Sequence, residues 1–189
     1  IGVSGGPEGA MNGACLMVGG EKMLFEKYEP LLKDVAAKDA YGYMGRSGAG
    51  HFVKMVHNGV EYGMMQAIAE GFALMKKSDF ELDLQEVARV YNNRSVIESR
   101  LVGWLREAFE KDGADLKGIS GSVAHSGEGE WTIETAQELG IPVKIIEGAL
   151  AFRKESTDNP SFIGKILSAL RGQFGGHDVN VKLKNQNEK

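Results

Sequence analysis

The stretch that decides the fold is "HFVKMVHNGVEYGMM", residues 51–65. It lies inside a periodic segment, from about Ala49 to Lys77, that contains no proline. This periodicity predicts one long helix, about 43 Å in length at about 1.5 Å per residue. Seven apolar residues of the stretch are expected to be buried: Phe52, Val53, Met55, Val56, Val60, Met64 and Met65.

Five polar side chains of this helix share one arc of about 140° when each residue turns the helix by about 100°: Lys54, His57, Asn58, Glu61 and Tyr62. Gly59 and Gly63 point the opposite way. Each costs up to about 1 kcal/mol against alanine, which predicts that another helix packs closely there. The polar arc alone leaves two interpretations open, a solvated face with a weak Lys–Glu pair or a binding site with fixed hydrogen-bond geometry.

The segment before this helix predicts part of an α/β sheet. Residues 1–44 contain three short apolar runs bounded by glycine turns, "IGVSGG", "ACLMVGG" and "AYGYMG", which are typical of strands. Between the last two, apolar residues recur at helical spacing in "EKMLFEKYEPLLKDVAA". No G-x-G-x-x-G fingerprint follows a strand. Cys15 falls in a strand pattern and is interpreted as a buried, inert thiol.

The segment after the long helix predicts a mainly α fold. Helical patterns occur near 83–98, 99–111, 131–139, 142–155 and 160–171. Pro142 and Pro160 are expected in first turns, where proline is tolerated. Trp104 is expected in the core. The final "FGGHDVNVKLKNQNEK" is polar and glycine-broken and reads as a tail, with "VNVKLK" as a strand or clasp rather than a dangling terminus.

Composition excludes several classes of function. With 189 residues, 42% hydrophobic and a net charge of −4, the chain lacks the excess of basic residues of a nucleic-acid surface. No apolar run reaches the roughly 18 residues of a membrane span. A single cysteine fits a reducing, cytoplasmic setting. Because the chain opens on "IGVSGGPEG" without methionine, we expect it to be part of a larger protein.

The sulfur and imidazole side chains predict no metal site. The four histidines, His51, His57, His125 and His177, lack ligand spacing with cysteines or carboxylates. Seven methionines are interpreted as core gap-fillers: Met11, Met17, Met44, Met55, Met64, Met65 and Met75.

Longer motifs carry a resemblance to a known family. "GAGHFVKMVHNGVEYGMMQ" resembles the signature helix of 6-phosphogluconate dehydrogenase. The resemblance extends through "VSGGPEGA", "LMVGG", "GEWT" at 129–132, "GIPVKIIEGALAFR" at 140–153 and "ALRGQFGGH" at 169–177. "SGG" and "VGG" are shared with β-hydroxyacid dehydrogenases generally, whereas "KMVHNGVEY" and the "R…FGGH" tail are specific. The spacing between motifs resembles the shorter bacterial form.

The resemblance implies oxidative decarboxylation of 6-phosphogluconate to ribulose 5-phosphate, in the pentose phosphate pathway, with NAD or NADP as cofactor. It also implies a Rossmann-like nucleotide domain followed by an all-helical domain. Residues 1–46 would be the last strands and helix of the first domain, 47–172 the helical substrate and dimerisation domain, and 173–189 the tail. The missing fingerprint agrees with that division.

Roles carry over where the motifs match. Lys54 resembles the general base and Glu61 the general acid. The base must start neutral, which burial and neighbouring dipoles favour for a lysine. Contacts to the sugar acid are implied for Ser4, Gly5, Gly6, His57 and Asn58, and Asn58 is also expected near the nicotinamide.

The phosphate end of the substrate is implied to involve both the chain and a neighbour. Tyr62 and Arg153 match phosphate contacts, and an arginine suits this role because its planar fork donates bidentately. Arg171 and His177 match tail residues that complete a neighbouring subunit's site, which implies a homo-oligomer of at least two chains.

One loop departs from the family pattern. Where the longer form has "QKGTGKW", residues 125–131 read "HSGEGEW", so Ser126 and Glu128 replace a phosphate-binding lysine and threonine. The loop either contributes to the site or only caps the helix near Trp131. Two other functions stay open, a dehydrogenase for a smaller β-hydroxy acid such as 3-hydroxyisobutyrate and a non-catalytic helical dimerisation module.

Overall fold

The computed structural model describes residues 1–175 and residue 179. Its elements in chain order are β1 (Gly2–Ser4), α1 (Gly6–Asn12), β2 (Ala14–Gly19), α2 (Lys22–Val35), β3 (Ala36–Gly45), α3 (Ala49–Lys77), α4 (Leu84–Tyr91), α5 (Arg100–Asp112), α6 (Glu128–Glu138), α7 (Lys144–Glu155) and α8 (Phe162–Gly175). This confirms the predicted fold class, a helical domain preceded by a small Rossmann-like part. The short helix α1 was not predicted.

The described chain divides into two compact units. The first contains Ile1–Met64, His125–Ala151 and residues 174–175, and the second contains Met65–Ala124, Phe152–Gln173 and Val179. Helix α3 supplies residues to both units. Among the described helices, none is long and apolar enough to cross a membrane.

The sheet of the first unit has the order β1-β2-β3. Strand β1 pairs antiparallel with β2, Ser4 opposite Cys15, and β2 pairs parallel with β3. Leu16, Val18 and Leu32 form its core with Ala14 because alternate residues of β2 face α2. Cys15 points the other way and is exposed, so the prediction of a buried thiol was wrong.

Helix α2 has apolar residues on two faces. Phe25 and Leu32 pack on the sheet, and the ring centroids of Phe25 and Tyr43 are 5.5 Å apart. The other face is exposed in this structure and carries Leu24, Tyr28, Leu31 and Val35.

Helix α3 has the predicted bounds, Ala49–Lys77. The prediction of its buried residues was only partly correct. Met65 is fully buried, but Phe52, Val60 and Met64 are exposed, and Val53, Met55 and Val56 are half-buried. Helical periodicity identifies the faces of a helix but does not identify which face a neighbour covers.

The second unit is built around aromatic and aliphatic side chains of α3, α4, α5 and α8. The ring centroid of Phe72 lies 6.1 Å from that of Tyr91, in an edge-to-face arrangement, and 5.8 Å from that of Phe109. Its fully buried aliphatic residues include Leu84, Leu105, Ile166, Leu167 and Leu170. Trp104 was expected in the core and is half-buried, with Arg100 Cζ 4.7 Å from the centroid of its ring.

Several helix ends differ from the predicted ones. Helix α4 ends at Tyr91 instead of continuing to 98, and α6 begins at Glu128 instead of 131. Pro142 and Pro160 each precede the first helical residue by two positions, so neither lies in a first turn. The methionines also divide: Met17 and Met65 are buried, Met55 and Met75 are half-buried, but Met11, Met44 and Met64 are exposed and were wrongly assigned to the core.

Candidate active site

Close backbone contacts hold the sheet against the first turns of α3 within the first unit. A Cβ added to Gly50 would lie 2.2 Å from the carbonyl oxygen of Met17, and one added to Gly2 would lie 2.5 Å from Cβ of Lys54. Because neither position has room for a side chain, β1 and β2 approach the helix at backbone distance. This contact brings the end of β1, with Ser4, beside the residues that follow Lys54.

A hydrogen-bonded cluster links four of the predicted site residues. Lys54 Nζ donates to Asn58 Oδ1, one turn along α3, and His57 Nδ1 lies 3.0 Å from the same oxygen. His57 Nε2 lies 3.4 Å from Ser4 Oγ. The arrangement favours the Nδ1–H tautomer, because Asn58 Oδ1 can only accept and Ser4 Oγ can then donate to Nε2. The imidazole thus connects the strand to the helix.

Glu61 lies at the other end of the same cluster. Its Oε2 is 3.9 Å from His57 Nδ1, with 24% of the glutamate side chain and 36% of the histidine side chain exposed. The structure therefore gathers an amine, an imidazole, an amide and a carboxylate on one half-buried face. Such a face presents donors at Lys54 and an acid or base at Glu61. The two residues are two helical turns apart, which is about 10 Å along the helix axis.

The Ser4–Gly5–Gly6 turn carries the chain from β1 into α1. Gly5 has φ 139° and Gly6 has φ 57°, values that L side chains rarely adopt, so the turn requires glycine at both positions. A Cβ on Gly6 would also lie 2.4 Å from the carbonyl oxygen of Phe174, so the end of α8 lies against this turn. The turn is fixed by its backbone and exposes the Ser4 hydroxyl to His57.

Tyr62 anchors the loop that departs from the family pattern. It is 5% exposed, packs with Ala149 and Leu150, and donates its hydroxyl to the carbonyl oxygen of Ser126 at 3.1 Å. The loop leads into α6, whose N-cap Gly127 makes no side-chain capping bond. The loop therefore contacts Tyr62 through the carbonyl oxygen of Ser126 and also begins α6.

Two predicted phosphate contacts belong to the second unit. Arg153 is 1% exposed, with Nη2 3.5 Å from Met65 Sδ. Arg171 Nη1 donates to the carbonyl oxygen of Ala124 at 2.5 Å. His177, with most of the "VNVKLK" segment, lies outside the described residues. Within the described part of the chain, no group of three His, Cys, Asp or Glu residues could hold a metal.

Two residues that position the site, Gly50 and Thr132, were not predicted from the sequence. Gly50 shows no signal in a single sequence, since nothing distinguishes it from the neighbouring glycines. Thr132 belongs to the motif "GEWT", but the contact of its buried hydroxyl with the carbonyl oxygen of Met55, at 2.9 Å, is a tertiary contact that helical periodicity does not predict.

Comparison with known proteins matches both parts of the chain to one family. Residues 50–163 match the model of the 6-phosphogluconate dehydrogenase C-terminal domain, and residues 1–45 match the NAD binding domain of 6-phosphogluconate dehydrogenase. The chain belongs to the 6-phosphogluconate dehydrogenase family. The two matches together include the sheet and helices α3 to α7.

Relatives within and near this family cover the chain almost completely. YqeC of Bacillus subtilis (strain 168) is 49% identical over 181 residues, 96% of this chain and 61% of that protein. The NAD(+)-dependent, decarboxylating 6-phosphogluconate dehydrogenase of Haloferax volcanii is 44% identical over 96% of this chain and 61% of its own length. The chain therefore spans about three fifths of these family members.

A solved structure shares the fold. The 3-hydroxyisobutyrate dehydrogenase of Mycobacterium tuberculosis superposes with a TM-score of 0.62, over 89% of this chain and 59% of that one, at 22% identity. At that identity the likeness concerns the fold alone.

Proposed function

We propose that the protein containing this chain oxidatively decarboxylates 6-phosphogluconate to ribulose 5-phosphate with NAD or NADP. The observation that carries the proposal is the hydrogen-bonded cluster in which Lys54 donates to Asn58, His57 contacts the same amide, and Ser4 contacts His57. Membership of the family supports this substrate, since the H. volcanii relative carries that activity in its name.

Each residue of the cluster has a step that suits its chemistry. Lys54 takes the proton of the 3-hydroxyl, and a bound NAD(P) supplies the hydride acceptor. Once protonated, Lys54 donates to the ketone oxygen while carbon dioxide leaves, which stabilises the charge that develops there. Glu61, on the far side of His57, donates a proton to carbon of the resulting enediol. Ser4, His57 and Asn58 orient the hydroxyls of the sugar acid.

The polar atoms of Asn58 support a nicotinamide site beside this residue. Its Oδ1 is occupied by Lys54 and His57, whereas its Nδ2 makes no hydrogen bond within residues 1–175. A half-buried amide donor of this kind can bind a ligand carbonyl such as a carboxamide oxygen. The match of residues 1–45 to an NAD-binding domain supports the same cofactor class.

The remaining assignments concern the phosphate and the partner chain. We propose that Tyr62 and Arg153 bind the phosphate of the substrate. We also propose that residues 1–46 belong to the nucleotide-binding domain, residues 47–172 form the helical domain and residues 173–189 form the tail. A homodimer is proposed, since Val60 and Met64, one turn apart on α3, are both exposed and offer an apolar surface to a second chain.

A turnover assay tests the proposal. The protein containing this chain is incubated with NAD or NADP and either 6-phosphogluconate or 3-hydroxyisobutyrate, and reduced cofactor and carbon dioxide are both measured. We expect equal amounts of the two products from 6-phosphogluconate only. Reduced cofactor without carbon dioxide, from the smaller acid, would identify a β-hydroxy acid dehydrogenase instead. No turnover with either acid would favour a non-catalytic dimerisation module.

A further inference from the structure

Two threonines of α6 hold a single residue of α3, the one that follows Lys54. Thr132 is 4% exposed, and its Oγ1 lies 2.9 Å from the carbonyl oxygen of Met55. Thr135, one turn further along α6, has its Oγ1 3.7 Å from Met55 Sδ. The backbone and the side chain of Met55 are thus both contacted from the same neighbouring helix.

A glycine permits this close approach. Gly59 lies one turn after Met55, about 40° from it around the helix. A Cβ on Gly59 would lie 2.6 Å from Cγ2 of Thr132 and 3.1 Å from Cδ1 of Ile146. Real Cβ atoms essentially never lie 2.6 Å from another heavy atom, so a side chain at residue 59 would push Thr132 away from α3.

We propose that Thr132 is a positioning residue, whose bond to Met55 fixes the turn of α3 that presents Lys54 and Asn58 to the substrate. The inference rests on the proposed role of Lys54 as base. The face of α3 that contacts α6 lies about 100° around the helix from Lys54, so this contact leaves the Lys54 face open to the substrate. Misplacement of a reacting group by about 1 Å can cost about 10²-fold in rate, so a bond that fixes this turn has kinetic consequences.

A purely local role for the hydroxyl predicts something different. Thr132 Oγ1 also lies 2.8 Å from the carbonyl oxygen of Glu128, four residues earlier in its own helix. A threonine that only bonds back to its own helix would be needed for packing and for nothing in α3. The hydroxyl has one hydrogen for two carbonyl oxygens, so the two roles are distinguished by whether its loss changes α3 or only α6.

The test compares four variants of the protein that contains this chain. Thr132→Val keeps the shape and loses the hydroxyl, and Thr132→Ser keeps the hydroxyl. Gly59→Ala pushes on Thr132 from the other side, while Gly71→Ala makes the same change in the same helix with nothing within 4 Å of the added Cβ. The measurements are kcat and KM with 6-phosphogluconate, and amide hydrogen exchange along α3 by mass spectrometry.

The expected result is a loss in kcat that the conservative variant repairs. Thr132→Val and Gly59→Ala should lower kcat about 10-fold or more, leave KM within about 2-fold, and speed exchange of the amides after Lys54. Thr132→Ser and Gly71→Ala should both resemble the unmodified protein.

Two results would overturn the proposal. One is Thr132→Val with unchanged kcat and unchanged exchange in α3. The other is faster exchange throughout the chain with Thr132→Ser equally impaired, which would assign the residue to general stability. If the unmodified protein does not turn over 6-phosphogluconate, the proposed function fails, and the exchange measurement alone still decides whether Thr132 fixes this turn.

Discussion

At the scale of single residues, loss of the Lys54 amine should affect hydride transfer and not substrate binding. It donates to Asn58 beside the substrate turn, and we propose that it removes the hydroxyl proton. Lys54→Met should therefore leave substrate binding largely intact and slow hydride transfer by about 10²–10⁴-fold. An equilibrium binding measurement reports the affinity for the substrate, and a pre-steady-state measurement of reduced cofactor reports the rate of hydride transfer. Lys77→Met, at the far end of α3, is the control, and near-normal turnover of Lys54→Met would remove Lys54 from the mechanism.

Glu61 should behave differently from Lys54 because it acts after oxidation. Glu61→Gln keeps the shape and removes the acid, so protonation of the enediol should slow while the first hydride transfer stays fast. The expected record is a normal pre-steady-state burst of reduced cofactor followed by a slow steady state. Equal slowing of burst and steady state would contradict this division of labour.

Asp115 provides a pH dependence that does not involve the site. The hydrogen bond from Lys76, at 2.5 Å, lowers the pKa of the Asp115 carboxyl below its ordinary value of 3.8, and the charges of Lys117 and Lys165 lower it further. A carboxyl with a lowered pKa in the folded state stabilises the fold above its unfolded pKa, and that contribution is lost as pH falls through the folded pKa. Lys76→Met should raise the pKa part of the way back.

Carbon-detected NMR titration of the Asp115 carboxyl measures this shift. Lys77→Met is the matched control, because Lys77 is not among the groups that lower the pKa. The difference in unfolding free energy between the original protein and Lys76→Met should be largest above pH 3.8 and should shrink in stronger acid. A difference that grows as pH falls would have the wrong sign.

At the scale of elements, the start of α4 depends on one side chain. Asp83 accepts hydrogen bonds from the backbone N–H groups of Gln85 and Glu86, at 3.0 and 3.1 Å. Asp83→Ala should destabilise the fold by about 0.5–2 kcal/mol and speed exchange of those two amides, whereas Asp83→Asn should cost little. Asp79→Ala, at an aspartate that makes no hydrogen bond or ion pair within the described residues, is the control. Equal effects of both alanine variants in denaturant titrations would argue against a cap.

The elements also show how far sequence reasoning extends. The bounds of α3 were predicted correctly because 29 residues without proline give a long, unambiguous period. Helix α1 was missed because seven residues, including two glycines and a proline, carry too little periodicity. The exposure of Cys15, Met64 and Phe52 depends on which face a neighbour covers, and that information lies in tertiary packing. The arc of Lys54, Asn58 and His57 could be predicted because it depends only on spacing within one helix. The Thr132 contact could not be predicted because it depends on how two helices pack.

At the scale of the whole molecule, we propose that residues 173–189 complete the substrate site of a neighbouring subunit. Helix α8 is held by its own chain, because Arg171 donates to the Ala124 carbonyl and the Phe174 carbonyl lies against Gly6. The proposed exchange of Arg171 and His177 between subunits is therefore tested first on His177 and the residues after it. A deletion of 176–189 leaves α8 and its contacts in place, and it is therefore a cleaner test than one that removes Arg171.

The deletion should weaken binding of 6-phosphogluconate far more than binding of the nicotinamide cofactor, and alone it should be nearly inactive. Lys54→Met should also be nearly inactive, with its tail intact. In a mixed dimer, the Lys54 of the deleted chain would meet the tail of the Lys54→Met chain, so one of the two sites would be whole. At equal concentrations and free exchange, about a quarter of all sites should recover. Native mass spectrometry verifies that mixed dimers form. If they form and stay as inactive as either parent, the tail serves its own chain, since no exchange between subunits is then needed to explain the deletion.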